Sequence, residues 1–133
     1  MIKIEIIVRD SLIYADVPVW SETQKEFLNA RMLIDTGACI TAFADSALKR
    51  LVCYSEDRKT PVRTAGGIVD VCAVKLPKIK LGNTVLNNVD VHAHEYLNNF
   101  HFDGVIGMNI LSLYNVCIDF DEKLLTLKNR CLQ

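Results

Sequence analysis

No stretch of this chain holds a helical period for more than about two turns, whereas apolar and polar residues alternate repeatedly, and this limits the possible folds. Ile2, Ile4, Ile6 and Val8 alternate with Lys3 and Glu5, the period of a strand with one buried face. Residues 14–20 alternate again, and Pro18 there predicts a sheet edge or a strand end. A polar turn over 21–25 leads into the apolar run Met32-Leu33-Ile34, and Ile40-Thr41-Ala42-Phe43 is β-favouring. Residues 61–65 and 68–74 flank Gly66-Gly67 and predict a hairpin with a mobile tip. Residues 76–81 and 85–94 predict a further pair joined at Gly82-Asn83, and 116–120 with 124–127 a closing hairpin turned at Asp121-Glu122. Two brief helices stand against these strands: one capped by Asp45 with Leu48, Leu51 and Val52 on one side, the other over 108–113. The sum is about nine short strands, mostly antiparallel by their tight connections, and a closed all-β domain.

With 133 residues, half of them hydrophobic, the chain suits one domain over 1–133 and leaves no room for a second of similar size. Fifteen basic residues against sixteen acidic ones, with neither sign gathered in a run, argue against a nucleic-acid partner. The apolar runs are too short to span a bilayer, and the first residues alternate where a signal peptide would be uniformly apolar. No membrane association and a cytoplasmic location are therefore expected. Five cysteines, at 39, 53, 72, 117 and 131, suggest neither a disulfide framework nor a CxxC metal site. There is no internal repeat, linker or low-complexity segment.

The run that begins at Met32 ends abruptly in Asp35-Thr36-Gly37-Ala38. A carboxylate leaving a buried strand is costly unless it is paired or hydrogen bonded. Such groups concentrate where chemistry needs an acid, which makes Asp35 the first catalytic candidate. Two other constellations are weaker. His92 and His94 share a face with Asp90; two histidines at this spacing could ligate a metal, but the plain reading is the wet face of an amphipathic strand, and no metal is expected. Cys39 lies four residues after Asp35 but has no local histidine to activate it, so a packing role is expected.

Three parts then fall in a fixed order: the strand ending in Asp35-Thr36-Gly37-Ala38, the hairpin Thr64-Ala65-Gly66-Gly67 with Ile68, and Val105-Ile106-Gly107 running into Met108-Asn109-Ile110-Leu111. In these motifs the chain, from about residue 32 to 127, resembles the retropepsin-like aspartic proteases, single-domain enzymes that include the retroviral proteases and their bacterial and cellular relatives. The resemblance implies a closed acid-protease barrel, with Asp35 catalytic and Thr36, Gly37 and Ala38 forming the active-site loop. It implies a substrate-binding flap at Ala65, Gly66, Gly67 and Ile68, and a second, hydrophobic-hydrophobic-Gly motif at Val105, Ile106 and Gly107 that runs into a helix. No cofactor is implied.

Hydrolysing a peptide bond without a covalent intermediate requires one group to take a proton from water and another to give one to the carbonyl oxygen. In aspartic proteases two close carboxylates that share one proton do both. This chain has a single signature of the kind, since Asp103-Gly104 lacks the threonine. The resemblance therefore implies a homodimer that joins two copies of Asp35, with Thr36 locking the loops across the axis and the flaps closing on an extended peptide or protein substrate. The alternative is a catalytically silent module of this fold that binds peptides or dimerises. Alanine at position 38 cannot supply the hydroxyl that pepsin-like relatives place beside the carboxylate, so an activity optimum nearer to neutral is expected. Cys39 and Met108 stand where retroviral enzymes carry an aspartate and an arginine. A double change to apolar residues can be neutral, but the dimer must then be braced without that ion pair.

Overall fold

The computed structural model of the chain describes residues 1–52 and 59–131. Among these, ten strands appear: β1 (Ile2–Arg9), β2 (Leu12–Ser21), β3 (Glu26–Ile34), β4 (Ala42–Ala44), β5 (Lys59–Thr64), β6 (Gly67–Leu81), β7 (Thr84–His94), β8 (Gly104–Ile106), β9 (Tyr114–Asp119) and β10 (Leu124–Asn129). Between them lie α1 (Asp45–Leu51), a 3-10 turn at Tyr96–Asn99 and α2 (Met108–Leu111). The chain is all-β, as its alternation predicts.

The strands form one sheet in the order β5-β6-β7-β4-β8-β3-β2-β1-β10-β9, and a pairing of β6 with β2 at Val19 and Ile79 brings the sheet back on itself. The result is a ring of six strands, with β5 attached at one side and β1, β10 and β9 at the other. Alternation is what closes it. Ala15, Val17 and Val19 of β2 are buried while Asp16 between them is exposed, and the inward set meets Met32, Phe43, Leu76, Ile79 and Ile106 in the apolar core.

Several local expectations change. The strands that carry Asp35 and Val105-Ile106 pair in parallel, β3 with β8, as do β4 and β7, because long connections separate these strands and leave their direction open. Residues 68–74 and 76–81 form one strand, β6, that passes straight through Pro77. The ladder to β7 keeps its register on both sides, Leu76 with Val89 and Lys78 with Asn87, and omits only the Pro77–Asn88 pair, where Asn88 has φ +54°. Pro18 lies inside β2, not at an edge or end. It faces Asn29 of β3, while the other side of β2 pairs with β1 only at residues 12–15 and with β6 only at Val19, so proline falls where that ladder is interrupted. Asp45 is the first helical residue of α1 rather than its cap; the N-cap is Ala44, without a side-chain bond, and the Asp45 carboxylate pairs with Lys49 at 3.1 Å. Val52 is the C-cap, just beyond the helix.

Candidate active site

The parallel pairing of β3 with β8 sets Ile34 beside Ile106, and where β3 ends the Asp35 N–H donates to the Ile106 carbonyl at 3.0 Å. Asp35 is thereby fixed at the mouth of the ring. It is half-buried, whereas Thr36 and Gly37 are exposed. The chain turns back at once: the Gly37 N–H donates to Asp35 Oδ1 at 2.8 Å, and the Ala38 N–H to the Asp35 carbonyl at 3.3 Å. The carboxylate is oriented by the backbone of its own loop, a charge-assisted bond that a flexible side chain could not supply as firmly.

Residues 38–41 then cross the start of α2. The Met108 N–H donates to the Ala38 carbonyl at 2.8 Å and the Asn109 N–H to the Cys39 carbonyl at 3.0 Å. Only glycine fits at 107, because a Cβ there would stand 2.8 Å from the Ala38 oxygen and 2.9 Å from the Ile40 carbonyl carbon. Thr41 is wholly buried. Its hydroxyl accepts from the Gly107 N–H at 3.0 Å and donates to Asn109 Oδ1 at 2.8 Å, while its own N–H also reaches Asn109 Oδ1 at 2.8 Å. The Asn109 amide donates to the Asp90 carbonyl at 2.8 Å, and the His92 N–H to the Thr41 carbonyl at 3.0 Å, so β7 joins the same network. Sequence reasoning missed Thr41 and Asn109. The available signal was a hydroxyl inside the apolar run Ile40-Thr41-Ala42-Phe43, since a polar side chain there must find partners.

The structure thus brings Asp35, Thr36, Gly37 and Ala38 together with Val105, Ile106 and Gly107. The hairpin expected to be the flap stands apart. Its strands are β5 and β6, paired from Lys59–Cys72 to Thr64–Gly67, so the two-residue tip is Ala65-Gly66 and Gly67 opens β6 with φ +119°, one residue earlier than the glycine pair suggests. Thr64 Oγ1 accepts from the Gly66 N–H at 3.2 Å and donates to the Gly67 carbonyl at 2.8 Å. Ile68 is 66% exposed. Among the described residues, no hydrogen bond joins this tip to the Asp35 loop.

Asp103 is a clasp: Oδ2 accepts from the Arg31 N–H at 2.8 Å, Oδ1 pairs with Arg50 at 3.1 Å, and its carbonyl accepts from the Ala44 N–H at 2.8 Å, tying β3, α1 and β4 together. Arg31 also pairs with Asp16 at 2.6 Å, which holds the Asp16 carboxyl below its usual range. His92 and His94 are half-buried with rings 6.2 Å apart, and burial lowers the pKa of both. Among the described residues, no three His, Cys, Asp or Glu side chains gather as a metal site would need, and no helix is long and apolar enough to cross a membrane. Cys39 is exposed, against the packing role expected of it, because the turn at 36–40 carries its side chain outside the core, and Met108 is 38% exposed, so both side chains are open to solvent in one chain.

Comparison with known proteins agrees with this geometry. The family model described as "gag-polyprotein putative aspartyl protease" matches residues 26–113, from the start of β3 through the Asp35 loop, flap and α2. The chain belongs to this family. Among solved structures, a retropepsin-like aspartic protease from Rickettsia conorii superposes with a TM-score of 0.66 at 20% identity, over 93% of this chain and 86% of that one. The fold is therefore retropepsin-like. A search of curated proteins found no match.

Proposed function

We propose that the chain is an aspartic endopeptidase whose catalytic dyad is the Asp35 carboxylate of two identical subunits. The observation that carries this reading is the Asp35 loop itself: a half-buried carboxylate at a strand end, held by the Gly37 N–H and braced from below by Gly107 and Thr41. Each chain brings one such loop, and hydrolysis without a covalent intermediate needs one group to take a proton and another to give one, which a lone carboxyl cannot do together. A twofold axis through the loops supplies the second from the same residue.

In the dimer the two carboxyl groups hold one proton between them, because like charges at that separation cannot both ionise. The ionised member takes a proton from water as the water oxygen bonds to the peptide carbonyl carbon. The protonated member gives its proton to the carbonyl oxygen, forming a neutral tetrahedral diol. The member that took the water proton returns it to the peptide nitrogen while the other, now ionised, takes a proton from one diol hydroxyl; the C–N bond breaks to give a carboxylic acid and an amine, and the dyad again holds one proton. Thr36 bonds across the axis, Gly37 presents backbone to the substrate, and the flap residues Ala65, Gly66, Gly67 and Ile68 close over an extended peptide by strand-like main-chain bonds.

The test compares the purified chain with Asp35→Asn on a peptide library across pH, with the mass of each in solution. Cleavage by the dimer and its loss in the variant are expected, with an optimum above about pH 3 because Ala38 offers no hydroxyl to the dyad. Equal cleavage by both proteins overturns the catalytic assignment, and an active monomer overturns the shared site. A folded dimer that cleaves nothing but binds extended peptides is the outcome of a silent module.

A further inference from the structure

At the end of β3 away from the Asp35 loop, two lysines stand without a carboxylate. Lys78 and Lys80 flank the buried Ile79 on β6, so both point outward. Their ammonium groups rest on aromatic rings of the β2–β3 hairpin: Lys78 Nζ lies 5.0 Å from the centre of the Trp20 ring and Lys80 Nζ 4.4 Å from that of Phe27. Trp20 and Phe27 are partners across β2 and β3, and their rings meet edge to face at 5.1 Å. Register sets neutral Asn87 and Val85 of β7 beside Lys78 and Lys80, and the next outward row of the hairpin is Pro18 with Asn29. Glu22, in the turn that joins β2 to β3, is taken by Lys25 at 3.0 Å, which holds its carboxyl below the usual range. Lys75, further along β6, is taken by Asp90 at 3.1 Å. Among the described residues neither Lys78 nor Lys80 has an ion-pair partner. Two cations at successive outward positions of one strand repel each other, and the rings beneath offset that cost only in part.

Spacing selects the occupant. Positions two apart on a strand are about 7 Å apart, and carboxylates on alternate residues of an extended peptide repeat at the same interval. A ring under each ammonium narrows its range while leaving N–H donors free toward solvent, so less freedom is lost when an anion binds. A lipid surface fits less well, because Trp20 and Phe27 are half-buried beneath the charges and do not project beyond them. A nucleic acid would need a longer row of cations. Asp35 lies eight residues after Phe27 along β3 and its end. That is about 26 Å of extended chain, a distance that as many residues of an extended substrate would cover.

We infer that Lys78 and Lys80, seated on Trp20 and Phe27, form a docking surface for an acidic stretch of the peptide substrate, with Asp or Glu at alternate positions and lying about eight or more residues from the bond that is cut. This rests on the endopeptidase reading above and names a substrate class for it.

The test uses the full chain carrying Asp35→Asn, so that binding is read without cleavage. Trp20 is the sole tryptophan, and its fluorescence reports on the surface directly. A peptide with glutamate at alternate positions should change that fluorescence saturably, and its glutamine counterpart should not. Lys78→Gln with Lys80→Gln should weaken binding at least about tenfold, whereas Lys78→Arg with Lys80→Arg should retain it. Lys123→Gln with Lys128→Gln, the same loss of charge elsewhere, should leave it unchanged. In the unmodified chain, adding the acidic stretch to a cleaved peptide should lower KM without altering kcat, and the Lys78→Gln, Lys80→Gln chain should lose that gain. Equal responses to the two peptides, or equal binding after loss of both lysines, overturn the surface. A stronger response to phosphatidylserine vesicles or to a single-stranded oligonucleotide overturns its occupant. Acidic-peptide binding by a chain that cleaves nothing overturns the endopeptidase reading and keeps the surface, and cleavage with a KM indifferent to acidic residues does the reverse.

Discussion

The Asp35 loop and the flap tip are both short glycine-bearing turns at the ends of strands, yet they are held in opposite ways. The Asp35 loop is tied to residues more than sixty positions away: Asp35 to Ile106, Ala38 to Met108, Cys39 to Asn109, Thr41 to Gly107. Among the described residues, the flap tip is hydrogen bonded only to itself, through Thr64, Gly66 and Gly67, and stands exposed. Opening the first must break buried bonds on two other segments, whereas opening the second breaks only local ones, so the two lie at opposite ends of the range of local stability. A protease of the proposed kind needs that contrast, with a carboxylate held still and a cover that moves.

The largest effect should come from the carboxylate. Asp35→Asn should lower cleavage about a thousandfold or more while leaving the melting temperature nearly unchanged, checked by peptide turnover and calorimetry on the same preparation. A large fall in melting temperature would instead make Asp35 a structural part of the loop.

Next in size is the contrast between glycines. Gly107→Ala forces a methyl group against the backbone of Ala38 and Ile40 and should cost about 3 kcal/mol. Gly67→Ala meets nothing within 4 Å and pays only for its φ of +119°, about 1–2 kcal/mol. Denaturant midpoints measure both, and equal losses would erase the distinction between the two turns.

The hydroxyls give the same comparison on a smaller scale. Thr41→Val strands the Gly107 N–H in the interior and should cost about 1–3 kcal/mol, with Thr41→Ser recovering most of it. Thr64→Val, at the exposed tip, should stay within about 0.5 kcal/mol. A costly Thr64→Val would show the flap to be a more rigid body than its bonding suggests.

The smallest effect concerns β7, which supports the Thr41 network through His92. Burial lowers the pKa of His92, against the opposing charge of Asp90, and burial with the neighbouring His92 lowers that of His94. A histidine depressed by folding binds fewer protons folded than unfolded, so the stability it confers is whole above about pH 6.5 and declines as pH falls below that value. Replacing both with glutamine should flatten the melting temperature between about pH 5 and 6.5. An unchanged slope would assign the acid sensitivity to carboxylates.

Much of this was legible in the chain because period-two alternation directly records which face of a strand is buried. The strands, the final hairpin and the apolar runs around Asp35 and Val105 all follow from it. What was not legible depends on partners far apart in sequence. Pro18 and Pro77 predict interruptions only if their neighbours are known, and both turned out to lie where a ladder bond is missing anyway. Asp103 looked like an incomplete motif and is a clasp, because Arg31 and Arg50 come to it from elsewhere.

The sequence by itself determined the β character, the carboxylate at the end of an apolar strand and the family to which the chain belongs. Tertiary structure alone decided that β3 runs parallel to β8, that Thr41 and Asn109 fasten Gly107 beneath the loop, and that β9 is left as a bare edge. The physical reason is one of range. Alternation and turn chemistry act over a few residues and are written locally, whereas a buried hydrogen bond or a free strand edge exists only once distant segments have packed.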